Sequence, residues 1–278
     1  MTTEITMEMI KELRSKTGVG ISKCKEALEQ SSGNLEEAVT FLRKAGIAQA
    51  VKKGDRETNE GAIAVFDGAE RVAIVEVNSE TDFVSQNERF QAFAKEMAEE
   101  IALGNPSDPA SFLTQPSSKH AGMTIDEVRG TLVQSLGENI QISRLAIFEK
   151  KAGHSIGYYV HMGGKMAAVV DLQGAEDLQD LGKELAMQAV AADPAYLAPS
   201  DVPEDIKEGE RAIIREQIKN KPPEIQEKIV EGKLNAYYEQ ACLTRQKYVK
   251  DPSMTIEKLL ASKGDVEPVS FVRWQIGG

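Results

Sequence analysis

The sequence predicts an α+β protein: an N-terminal three-helix unit, two related subdomains of small antiparallel sheet backed by helices, and an inserted antiparallel helical hairpin. Three observations carry this prediction. Apolar residues recur at helical spacing from residue 5 to 46. A strand, turn, strand, helix order that begins at Gly61 returns at Ile156. A highly charged stretch between 201 and 240 carries narrow apolar stripes and is broken once, at Lys221-Pro222-Pro223. The chain of 278 residues, 41% hydrophobic and 28% charged, is long enough to bury a sizeable core in two or three modules.

The first helix places Ile10, Leu13 and Thr17 one turn apart, and Gly18-Val19-Gly20 breaks it. Ser22 is a good cap for a second helix, whose apolar face is Cys24, Ala27 and Leu28. Gly33 ends that helix, and Asn34 with Glu37 has the spacing of a capping box for a third, with Leu35, Ala38, Val39 and Leu42 on its face. Fewer than about 50 residues make a marginal core, so this unit is expected to dock on something. The stretch from 47 to 60, including KKGDRETNEG, reads as linker, and the helical module is taken as 1–54 with its linker reaching about 60.

The first subdomain is assigned to 55–140. Ala62 to Phe66 and Val72 to Val77 read as strands around an Asp67-Gly68 turn. A long helix follows with Phe90, Ala94, Met97 and Ile101 on one face, then a loop rich in Pro, Ser and Asp from 104 to 118, and a helix near 124–136. The second subdomain is assigned to 141–200 and 241–278. It has strands at 141–150, at 156–161, at 166–172 after a Gly163-Gly164 turn, and at 268–276, with a helix from about 177 to 191. The remaining 201–240 is the hairpin. Ile206, Ile213, Ile214 and Ile218 lie before its break and Ile225, Ile229 and Ala236 after it. Pattern alone leaves open whether it projects or packs flat on the body.

Composition and motifs exclude several function classes. A formal charge of -11 and a pI near 5.0 argue against direct nucleic-acid binding and against a lipid-bound protein. Cys24 and Cys242 lie far apart, no Cys/His group has zinc spacing, and reduced thiols suit a reducing compartment. The acidic opening MTTEITMEMIKELR lacks a signal core, and no apolar run approaches the ~20 residues of a membrane span, so a cytoplasmic location is expected. Gly163-Gly164-Lys165-Met166 lacks the upstream glycine of a phosphate-binding loop, and Met166 stands where a hydroxyl would bind magnesium. His120, His154 and His161 show no metal-ligand spacing. No cofactor, metal or catalytic residue is expected, and the protein reads as a non-enzyme.

One segment stands apart. After the strand ending at Val77 comes Asn78-Ser79-Glu80-Thr81-Asp82-Phe83-Val84-Ser85, with Phe and Val in a polar loop. Two readings stay open: Asp82 caps the next helix and Phe83 packs as a hydrophobic staple, or the two form an acidic-aromatic tip presented to a partner. Thr81-Asp82-Phe83-Val84 resembles the T-D-F-V signature of the elongation factor Ts family. The blocks Lys11-Glu12-Leu13-Arg14, Thr17-Gly18-Val19-Gly20, Cys24-Lys25-Glu26-Ala27-Leu28 and Gly137-Glu138-Asn139-Ile140 resemble that family in the same order, over about residues 5 to 276.

The resemblance implies a ubiquitin-associated-like fold for the N-terminal module, a core of two related subdomains and a protruding antiparallel coiled coil. It implies guanine-nucleotide exchange on the GTPase elongation factor Tu, with Asp82 and Phe83 of the Thr81–Val84 run entering beside the partner's magnesium and phosphate site. By match, it also implies secondary partner contacts at Arg14, Val19 and Ile21 and at His161, Met162 and Gly163; the residues themselves leave open that Val19 and Ile21 are the module's own core and that 161–163 is a surface turn with no role. The resemblance also suggests a dimeric complex, which no residue pattern decides. Well-known bacterial members continue into a C-terminal helix that touches the partner. This sequence stops at Trp274-Gln275-Ile276-Gly277-Gly278, so those contacts are expected to be missing. The rivals are an adaptor acting through its N-terminal helices and an enzyme built from scattered carboxylates.

Overall fold

The structure is a computed structural model that describes residues 4–174 and 177–278; residues 1–3 of the helical module and 175–176 of the second subdomain lie outside the described residues. It is mixed helix and antiparallel sheet, as the sequence predicts, and divides into two units.

The first unit opens with α1 (Met7–Thr17), α2 (Ile21–Gln30) and α3 (Leu35–Lys53). Ile10, Leu13, Val19, Cys24, Ala27, Leu28, Ala38 and Leu42 form their shared core. The Thr6 hydroxyl caps α1, and Gly18 ends it in the left-handed region at φ 65°. Ser22 does not cap α2: the helix already begins at Ile21, and its N-cap is Gly20, which has no side chain to offer. Asn34 caps α3, accepting from Glu36 and Glu37 N–H.

Much of the expected linker is helical, because α3 runs to Lys53. Its second half has a burial site of its own. Gly46 meets Gly130 so closely that a Cβ on Gly46 would lie 2.9 Å from the Gly130 carbonyl, and Ala50 joins the main core of the unit. The small helical module therefore docks through one helix shared between two cores.

That main core lies beneath β1 (Glu60–Asp67), β2 (Arg71–Ser79) and, after α4 (Asp82–Ser85), α5 (Glu88–Gly104), α6 (Pro109–Thr114) and α7 (Ile125–Leu136), β3 (Ile140–Glu149). The sheet order is β1-β2-β3, antiparallel, with Val77 opposite Ile142 and Val75 opposite Leu145. Phe90, Phe93, Ala94, Met97 and Ile101 of α5 pack under it. The expected 104–118 loop contains α6, which Asp108 caps with a capping box and Phe112 anchors in the core.

The second unit contains β4 (His154–His161), β5 (Met166–Gly174), α8 (Gln179–Ala192), α9 (Glu204–Ile218), α10 (Pro223–Ala241), β6 (Lys247–Tyr248), β7 (Asp251–Thr255), α11 (Ile256–Ser262) and β8 (Val266–Gln275). Its three-stranded sheet has the order β4-β5-β8, so a hairpin, a helix and a later third strand follow one another in both units. Helix α8 crosses the sheet at Gly157 and Gly182, where a Cβ on Gly157 would lie 2.0 Å from the Gly182 carbonyl carbon. Helices α9 and α10 join through buried Ile214, Ile218 and Val230. Helix α10 also meets residues 243–245, which follow it directly in the chain.

The expected subdomain boundary at 141 is corrected. Strand β3 hydrogen-bonds to β2, so the division falls after Glu149, and residues 162–165 and 275–278 also cluster with the first unit. A strand's own pattern does not reveal which sheet it joins.

Candidate partner-binding site

Strand β2 ends at Ser79, and the chain turns through Glu80 into α4, a single turn made of Asp82-Phe83-Val84-Ser85. Thr81 is the N-cap, with its Oγ1 accepting the Val84 N–H at 3.4 Å. Asp82 occupies the first helical position instead of the cap, and its carbonyl accepts from Gln86 N–H and the Ser85 hydroxyl. Phe83 is 85% exposed, so it is no staple. Val84 packs partly against the core and Ser85 is buried. One side of the turn is anchored while its other side lifts an aromatic ring and a carboxylate into solvent.

The anchor comes from the Gly137–Ile140 stretch, where Glu138 lies 57 positions along the chain from Thr81. The Glu138 carboxylate accepts the Thr81 N–H at 3.0 Å with one oxygen and the Thr81 hydroxyl at 2.6 Å with the other. Asn139 N–H donates to Glu80 Oε1 at 2.6 Å. Arg56 faces both Glu80 oxygens at 3.3 Å. Burial pushes the Glu80 carboxyl upward, but the Asn139 N–H and the Arg56 guanidinium outweigh it and hold its pKa below the usual value. The fully buried Asn139 side chain donates to the Arg56 and Gly54 carbonyls, and Lys53 donates to the Gly137 carbonyl. Burial, reinforced by Arg56, lowers the Lys53 pKa against the opposing pull of Glu80. The signal in the sequence was a Glu-Asn pair between a helix closed by Gly137 and an apolar strand, polar residues where the chain is being buried.

The other expected contacts fare differently. Val19 is fully buried in the three-helix core and its carbonyl accepts from the Cys24 thiol, so its side chain is not presentable; this corrects the expectation for that residue. Arg14 is exposed and Ile21 is 47% exposed. The intervening loop is fixed through the Gly18 carbonyl, which accepts from Arg89 of α5 and Ser135 of α7, both at 3.0 Å. His161 closes β4, partly buried, with its Nδ1 3.0 Å from the Tyr159 hydroxyl. Met162 and Gly163 form the exposed turn. Met162 holds φ 48°, an uncommon angle for a side-chain-bearing residue. Among the described residues no His, Cys, Asp or Glu cluster could hold a metal, and no helix is long and apolar enough to cross a membrane.

The family model described as elongation factor TS matches residues 80–278. The Elongation factor Ts of Protochlamydia amoebophila (strain UWE25) is 46% identical over 278 residues, covering 98% of this chain and 99% of that one. The Elongation factor Ts of Chlamydia felis (strain Fe/C-56) is 43% identical over 98% of both chains, and that of Chlamydia trachomatis serovar L2b is 42% identical over 99% of both. The matched model begins at Glu80, two residues before Asp82, and the alignments to the relatives extend across the helical module as well.

Proposed function

This chain belongs to the elongation factor Ts family, and we infer that it acts as a guanine-nucleotide exchange factor, binding elongation factor Tu with GDP and promoting release of GDP so that GTP can enter. The observation that carries this reading is Phe83, 85% exposed beside Asp82 on a turn whose other face is bound into the fold. An apolar ring held in water gains about 1.5–3 kcal/mol when a partner buries it.

In this reading Phe83 wedges into the partner's nucleotide-binding domain and Asp82 disturbs the polar network around its magnesium. Magnesium demands near-octahedral oxygen ligation, and nucleotide affinity rests on that ion and the phosphate loop, so small displacements weaken binding strongly. No bond is made or broken. Thr81 and Val84 serve as cap and anchor. Arg14, Ile21, Met162 and Gly163, which are exposed, and the half-buried His161 would add secondary contacts to the same partner. A translation factor of this kind would work in the cytoplasm.

Linkage makes the reading testable without kinetics. A factor that lowers nucleotide affinity by some ratio has its own affinity lowered by nucleotide in the same ratio. The chain should form a stable complex with nucleotide-free elongation factor Tu in gel filtration, and added GDP should dissociate it. A complex unaffected by GDP at any concentration would contradict exchange and bring forward the adaptor reading.

A further inference from the structure

A four-residue helix cannot hold its own orientation, because nucleating one turn fixes several dihedral angles for a single hydrogen bond. The direction in which Asp82 and Phe83 point must therefore be set from outside α4. Glu138 makes the outside contact that controls the cap. Its two oxygens take both donors of Thr81, the backbone N–H and the hydroxyl. With the hydroxyl proton committed to the carboxylate, the oxygen's lone pair is left for the Val84 N–H. Charge-assisted bonds of this kind are roughly twice as strong as neutral ones. The Ser79 hydroxyl holds the Thr81 carbonyl from the other side at 3.1 Å.

We propose that Glu138 is a positioning residue for the exchange tip: through Thr81 it fixes the orientation of Asp82 and Phe83 and so sets how fast bound partner loses nucleotide, without itself being a partner contact. This rests on the exchange reading of the tip. The role is carried through the N-cap, so removing Glu138 leaves the tip residues present but loosely held. Affinity, spread over other surfaces, should persist, while the productive fraction of complexes falls.

The test is release of a fluorescent GDP analogue from elongation factor Tu as a function of full-length factor concentration, for Glu138→Ala and for the shape-preserving Glu138→Gln. In Gln an NH2 group replaces one acceptor oxygen, so it cannot accept from both Thr81 donors. The expected result is a maximal release rate lowered about tenfold or more, the loss of one charge-assisted bond that orders the tip. The half-saturating concentration should stay within about twofold, and in a background of Asp82→Ala/Phe83→Ala the Glu138 change should have no further effect. Glu138→Gln guards against a folding defect and is checked by a melting transition that stays cooperative, with the protein fully folded at the assay temperature. A change confined to the half-saturating concentration would overturn the proposal by making Glu138 a contact. Normal release from both Glu138 variants, with release abolished by Asp82→Ala/Phe83→Ala, would overturn it and leave the exchange reading standing. Normal release from the Asp82→Ala/Phe83→Ala variant would remove the reading on which it rests.

Discussion

Phe83 and Glu100 stand at opposite ends of the scale of side-chain use. Phe83 touches little of its own fold, so Phe83→Ala should change stability by no more than about 0.5 kcal/mol in denaturant unfolding. Glu100 is 4% exposed on α5, and its carboxylate accepts the Ser117 hydroxyl at 2.7 Å and the N–H groups of Ser118 and Lys119 at 2.9 and 3.2 Å. Burial raises its pKa, but those donors outweigh burial and the net shift is downward. A carboxyl lowered in the folded state stabilises above its unfolded value, near 4.5, and that contribution is lost as pH falls through the lower folded value. Glu100→Gln should cost about 2–3 kcal/mol at pH 7, and the gap to the unaltered protein should narrow below about pH 4.5 when denaturant midpoints are compared across pH. The residue scale was partly legible in the sequence. The unusual Phe in a polar loop marked the tip, but Glu138 sits 57 positions from Thr81, and no local pattern announces a pairing over that span.

Elements were legible where periodicity was long and unshared. The α5 stripe and the β1–β2 hairpin follow the pattern closely. Helix α3 outran its expected end because its second half is buried by α7, a tertiary contact that overrides a polar, linker-like composition. The Gly46–Gly130 crossing is the device that allows it. Gly46→Ala should force the helices apart and cost about 1–3 kcal/mol, read as a lowered melting temperature with the helical content retained. In the second unit Gly157→Ala should cost at least as much, since the added Cβ would meet helix backbone at 2.0 Å and no flexible side chain can yield there.

At the scale of the molecule, the recurring order of hairpin, helix and third strand gave away the α+β class, while the assignment of β3 to the first sheet needed its hydrogen-bond partner. The first unit ties its parts around one stretch. Ser135 holds the loop after α1, Glu138 holds the tip, and Asn139 holds the end of α3. In our account this stretch lets a helical module and an exchange tip present themselves to one partner as a single preformed surface. The most direct test of the central claim is stopped-flow release of a fluorescent GDP analogue from elongation factor Tu, with the unaltered chain and with Asp82→Ala/Phe83→Ala. The account predicts strong acceleration by the first and loss of that acceleration in the folded variant. Absence of acceleration by the unaltered chain with its cognate partner, or full acceleration by the variant, would contradict it.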